Sequence, residues 1–162
     1  MAKYLTVVSD THGSTYDLLR LKGDFLVSDK VVFLGDGKSD WYELEDELDN
    51  KLVSVNGNCD ITLFGEKEEL FIVEGVKFLA VHGDRFGVKS SLERLESYAQ
   101  QKGVNVVLFG HTHIPLVQKR GDILFVNPGT LSRHGKEKTF AFLTVNNGEV
   151  SAKIISIDLR KF

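Results

Sequence analysis

Cysteine is almost missing from this chain. Cys59 is the only one in 162 residues, so an intramolecular disulfide is excluded. The opening Met1-Ala2-Lys3-Tyr4 leads into an apolar run too short for the core of a signal peptide, and a cytoplasmic location is expected. No apolar stretch approaches the roughly 20 residues needed to cross a bilayer, so no membrane partner is expected either. Positive charge is not in excess: 20 Lys and Arg stand against 23 Asp and Glu, for a net charge of −3. The basic residues are scattered, without the stripe of a generic nucleic-acid binder. Nucleotide-binding loops of the form GxxxxGK or GxGxxG are absent, since Gly35-Asp36-Gly37-Lys38-Ser39-Asp40 lacks the third glycine. Phosphatases that form an aspartyl-phosphate need Asp-x-Asp after the first strand, and Asp10-Thr11-His12 stands there instead.

What is present suits one soluble globular domain over residues 1–162, with 42% hydrophobic and 27% charged residues and no linker or repeat. Leu18, Leu19 and Leu21 follow the first apolar run at near-helical spacing, and Gly23 and Asp24 are expected to interrupt that pattern. Trp41 to Leu48 predicts a second helix, and Ser90 to Lys102 a third ending at Gly103. Glu74-Gly75, Arg120-Gly121-Asp122 and Asn146-Asn147-Gly148 read as hairpin turns. The fold class is α/β, with a mixed sheet bearing helices that passes into an antiparallel one.

Five apolar runs each stop at a cluster of metal-ligand residue types. Leu5 to Val8 leads to Asp10-Thr11-His12-Gly13, Val31 to Leu34 to Gly35-Asp36-Gly37, and Leu52 to Val55 to Gly57-Asn58-Cys59-Asp60. Phe78 to Val81 leads to His82-Gly83-Asp84, and Val106 to Phe109 to Gly110-His111-Thr112-His113. Sheets with helices on their faces present ligands at the carboxyl ends of their strands, so these segments can converge. Asp10, His12, Asp36, Asn58, His82, His111 and His113 make seven donors, more than the three or four that one catalytic zinc uses. Two ions sharing a carboxylate would use all seven, an arrangement that recurs in displacement at phosphorus. Carboxylate, amide and imidazole donors favour Mn, Fe, Co, Ni or Zn over Mg or Ca.

The ordered set DxH, GD, GNxD, HGD and GHTH resembles the calcineurin-like metallophosphoesterases, above all their small bacterial and archaeal single-domain phosphodiesterase branch. That resemblance implies a four-layered α/β/β/α sandwich with two mixed sheets and two divalent transition-metal ions, Mn first. It implies that Asp10, His12 and His113 hold one ion, that Asn58, His82 and His111 hold the other, and that Asp36 bridges both. A bridging hydroxide would then attack phosphorus in line, in a small phosphoester substrate. Larger relatives carry a His after the Asn ligand where this chain has Cys59, so a strong general acid is not expected and Cys59 is read as a small buried residue or a neighbour of the ligands. Asp60 and Asp84 are candidates to orient the ligand imidazoles, and Asn127-Pro128-Gly129-Thr130 resembles the NPGS segment of the small branch. Arg133 and His134, just beyond, read as a surface pair, although Arg133 would suit a phosphate oxygen. Loops 38–42, 61–66 and 85–89 are expected to shape the pocket. Homo-oligomer formation is left open. The rival reading is a metal-binding scaffold, because a eukaryotic protein-sorting subunit resembles the same fold and serves to hold partner proteins.

Overall fold

A computed structural model describes residues 1–61 and 65–159. The chain order begins β1 (Lys3–Val8), α1 (Thr15–Arg20), α2 (Lys22–Val27), β2 (Lys30–Phe33), α3 (Tyr42–Leu48) and β3 (Leu52–Ser54). It continues with β4 (Glu68–Val73), β5 (Val76–Val81), α4 (Glu93–Lys102), β6 (Val106–Leu108), β7 (Leu116–Arg120), β8 (Ile123–Asn127), β9 (Thr139–Asn146) and β10 (Glu149–Ser156).

These strands form two five-stranded mixed sheets, ordered β10-β9-β1-β2-β3 and β4-β5-β6-β8-β7. Successive strand side chains face opposite ways, and this alternation sets the layers. Leu5, Val7 and Val32 of the first sheet meet Phe78, Ala80, Val106 and Leu108 of the second in one buried cluster. The intervening Val8, Val31 and Phe33 face outward against Leu18, Leu21, Phe25, Trp41 and Leu44. Leu79, Val81 and Val107 face the other way, against Leu95 and Ala99 of α4. Strands buried on both faces need nearly continuous apolar runs, which is how the runs of β1, β2, β5 and β6 read, with Thr6 the one polar residue within those runs. The result is the expected α/β/β/α sandwich.

Two readings are corrected. Gly23 and Asp24 do not end the helical pattern: they lie inside α2, which buries Phe25. A glycine within a helix costs about 1 kcal/mol, and burial of a Phe side chain, worth about 1.5–3 kcal/mol, outweighs it. The last strands do not form an antiparallel sheet of their own, because β9 returns to pair antiparallel with β1. The hairpins at Glu74-Gly75, Gly121 and Asn147-Gly148 form as expected, with all five residues at positive φ. Gly103, at φ 66, ends α4.

Candidate metal centre

β1, β2 and β3 run parallel in the first sheet, as do β5, β6 and β8 in the second. The loops after β1, β2, β3, β5 and β6 meet at one rim. Asp10, His12, Asp36, His111 and His113 all have positive φ, between 43° and 71°, a region that side-chain-bearing residues seldom adopt. Such conformations cost about 1–3 kcal/mol each and persist where the surroundings enforce them. Here they turn five donors toward a common centre.

Three groups of donors have ligand atoms within 4.8 Å of one another: Asp10, His12 and His113; His12, Asp36 and Cys59; and Asp36, His82 and His111. Asp10 Oδ1 lies 3.1 Å from His113 Nε2 and 3.5 Å from His12 Nε2. Asp36 Oδ2 lies 3.2 Å from His82 Nε2 and 3.8 Å from His12 Nε2. Ring nitrogens of His12 and His113 approach to 3.3 Å, and those of His82 and His111 to 3.1 Å. Imidazole nitrogens and carboxylate oxygens converging in this way are a donor set that fits divalent transition-metal ions.

Each sheet supports candidate donors of the other. His82 Nδ1, from the second sheet, donates to the Leu34 carbonyl of the first at 2.7 Å, which leaves Nε2 facing the centre. The His111 N–H donates to Asp10 Oδ2 at 3.0 Å. Burial disfavours the charged form of Asp10, but His113, His12, His82 and the Ser9 hydroxyl outweigh it and hold the carboxyl well below the usual range. Asp36 is lowered in the same manner, with burial overcome by His82 and the Cys59 N–H. Asp10 raises His12, and His82 is raised because Asp36 and Asp10 outweigh its burial. His111 is lowered by burial, then by the His82 and Lys89 charges.

The calcineurin-like phosphoesterase superfamily domain matches residues 4–148. The chain belongs to that superfamily. It is 30% identical over 152 residues to the probable metallophosphoesterase YsnB of Bacillus subtilis, covering 91% of this chain and 87% of that protein. It is also 30% identical over 98 residues to the phosphodiesterase YfcE of Escherichia coli K12, covering 53% of this chain and 47% of that protein. A predicted phosphoesterase from Streptococcus pneumoniae superposes with a TM-score of 0.83 at 23% identity, over 98% of this chain and 91% of that one. The protein is therefore a metal-dependent phosphoesterase, and its superfamily uses divalent metals.

Around this phosphoesterase centre the remaining sequence candidates divide. The Asp60 carboxylate accepts backbone N–H groups of Asp36, Gly57, Gly37 and Lys38 at 2.8–3.0 Å, clamping the loops after β2 and β3, and hydrogen-bonds no imidazole among the described residues. Asp84 hydrogen-bonds none of the ligands among the described residues; its charge reaches His111. Asn127 is buried and donates to the Gly110 carbonyl and the Thr112 hydroxyl, propping the loop between His111 and His113. Arg133 and His134 are exposed beside one another, 3.5 Å apart. Asn58 is exposed, its amide 3.5 Å from Cys59 Sγ. Cys59 is exposed rather than buried, while its backbone N–H donates to Asp36 Oδ1 at 2.7 Å.

Two supports, Asp40 and Ser9, escaped the sequence, and a third, Thr130, lies in the segment 127–130 that the sequence singled out without assigning it this contact. Asp40 accepts from Thr11 and Thr15 hydroxyls and the Gly13 N–H, holding the loop that carries His12. Ser9 donates to Asp10 Oδ2 at 2.5 Å, and the Thr130 hydroxyl to the Asp10 carbonyl at 2.6 Å. The only signal for them was proximity in sequence to a ligand or, for Thr130, to the Asn127 segment. A cleft of about 350 Å³ opens beside the centre, lined by Lys38, Ser39, Tyr42, Cys59 and Ile61 among others. Of the expected 61–66 loop, residues 62–64 lie outside the described residues.

Proposed function

We propose that the protein is a phosphodiesterase with a binuclear transition-metal centre. Asp10, His12 and His113 would hold one ion, and Asn58, His82 and His111 the other, with Asp36 shared. The observation that carries this reading is the position of Asp36 Oδ2, 3.2 Å from His82 Nε2 and 3.8 Å from His12 Nε2, so that one oxygen approaches a histidine of each set. Mn is the first candidate, with Ni, Co, Fe and Zn suited to the same donors. Ions bound there supply Lewis-acid activation of water and charge neutralisation at the phosphoryl group. The chain itself positions them. Leu34 fixes the His82 ring, Asp60 fixes the backbone on either side of Asp36, and Asn127 fixes the loop of His111 and His113.

A diester with a good leaving group suits the position after Asn58. Cys59 stands there, its thiol pushed up by partial desolvation from the surrounding loops, although its surface is exposed, and by the Asp36 charge, which makes it a poor proton donor to an alkoxide. A single exposed thiol also suits a reducing compartment. Saturation with Mn followed by elemental analysis should count two ions per chain, and bis-p-nitrophenyl phosphate should be hydrolysed with Mn, Ni or Co and spared after chelation. Asp36→Asn should lose both ions, whereas His113→Ala should mainly lose one. One ion at saturation would overturn the binuclear assignment. Monoesters turned over far faster than every diester would overturn the diester preference.

A further inference from the structure

A second concavity of about 430 Å³ borders the same rim and differs in kind from the cleft at Cys59. Its walls include Val88, Leu92, Phe109 and Ile114, and its polar members are Lys89 and Thr112. It is built on ligand loops. Thr112 lies between His111 and His113, and Ile114 follows His113. Val88 packs against Gly83, the residue after His82: a Cβ on Gly83 would stand 2.9 Å from Val88 Cγ2 and 3.6 Å from the Gly110 carbonyl. Ile114 is 67% exposed, a large apolar side chain left to water directly beside a catalytic centre.

The chemistry of the walls selects the occupant. Hydroxylated or charged groups would lose water there with few partners to replace it. An anionic phosphoryl group, by contrast, finds the Lys89 ammonium in the same wall as Thr112, the residue between His111 and His113. In a phosphodiester one ester group leaves, and the other stays on phosphorus and needs its own place. We propose that this groove receives an apolar ester substituent, alkyl or aryl, so that the substrate class is an amphiphilic phosphodiester: a hydrocarbon group on one oxygen of a phosphate held at the metal centre. This rests on the phosphodiesterase reading above.

The test uses the full chain loaded with Mn and p-nitrophenyl methyl, butyl and hexyl phosphates, which share one leaving group and differ only in the retained ester. Each buried methylene is worth up to about fourfold, so kcat/KM should rise from methyl to hexyl by about tenfold or more. Ile114→Ser, at an exposed position, should pull the hexyl-to-methyl ratio down several-fold, and Ile114→Trp, which fills the groove, should do the same. Hydrolysis with a ratio near one in the unmodified chain would overturn the groove assignment and leave the phosphodiesterase reading intact. A hexyl preference that survives both variants would also overturn it. No hydrolysis of any of the three esters at metal saturation would sink the phosphodiesterase reading first. Self-association lost in Ile114→Ser, together with a flat ratio, would place a second copy of the chain in the groove instead.

Discussion

At the rim opposite the candidate metal centre, the hairpins turn on Gly75, Gly121 and Gly148, each left-handed and each with nothing within 4 Å of where a Cβ would stand. At the metal rim the crowding is of another order. A Cβ on Gly35 would collide with the Gly57 backbone, one on Gly57 with the Asp36 carboxylate, and one on Gly110 with the Ser9 hydroxyl. The left-handed residues are distributed differently too. On the hairpin side they are turn residues, as two-residue hairpins demand; on the metal side they include Asp10, His12, Asp36, His111 and His113. One rim closes the chain, and the other compresses backbone around five donors turned toward a common centre, at a local cost in strain.

The largest effect that sharpens this contrast is expected from Gly57→Ala. Overpacking costs about 1–3 kcal/mol, and displacement of Asp36 by about 1 Å would lower metal-dependent hydrolysis by about 100-fold or more. Melting curves and Mn titration would show both losses. A variant that keeps its affinity for Mn would mean that the crowding is incidental. Next comes Asp60→Asn, which points an amide at backbone donors now served by a carboxylate; it should cost about 1–3 kcal/mol, seen in urea unfolding of the chelated protein. Smallest is Gly148→Ala at the hairpin rim. Only its φ of 78° opposes the methyl, so about 1 kcal/mol of stability should be lost and no activity. A comparable loss of activity there would break the comparison.

Proton linkage separates the metal-free and loaded protein. His12 and His82 are raised above 6.5 without metal. Their contribution to folding is therefore complete below about pH 6.5 and declines as pH rises through the raised values. Asp10 and Asp36 are lowered, so theirs is present above about pH 4 and is lost as pH falls through the depressed values. Metal needs the histidines neutral. His111 is lowered and works in the opposite sense, its penalty being relieved as pH rises through about 6.5. With two raised histidines against one lowered, the chelated protein should lose thermal stability from pH 6 to pH 8 while the increment conferred by Mn grows. Parallel rises in both states would refute this linkage.

The layers were legible because Leu5 to Val8 and the four comparable runs are almost wholly apolar, as strands covered on both faces require, and their ends carry donors that few loops collect by chance. Asp40 was not legible: its partners Thr11 and Thr15 lie 29 and 25 residues away, and an Asp after Gly-Lys-Ser looks like any loop residue. Thr130 reaches Asp10 across 120 residues. Gly23 misled because helix propensity is local, whereas the burial of Phe25 depends on a sheet face assembled from distant strands. The exposure of Cys59, which sits in a turn, is not encoded in composition.

The cross-bracing of the two sheets has a mechanical consequence. The ring of His82 is anchored to the Leu34 carbonyl, and Asp10 accepts the N–H of His111, so a donor of each layer is aimed by the backbone of the other. A shear of one sheet past the other by about an ångström would loosen both hydrogen bonds together, since each requires about 2.7–3.2 Å. The centre is in that sense a strain gauge for the sandwich: a load that slides the layers would disturb the aim of both donors at once.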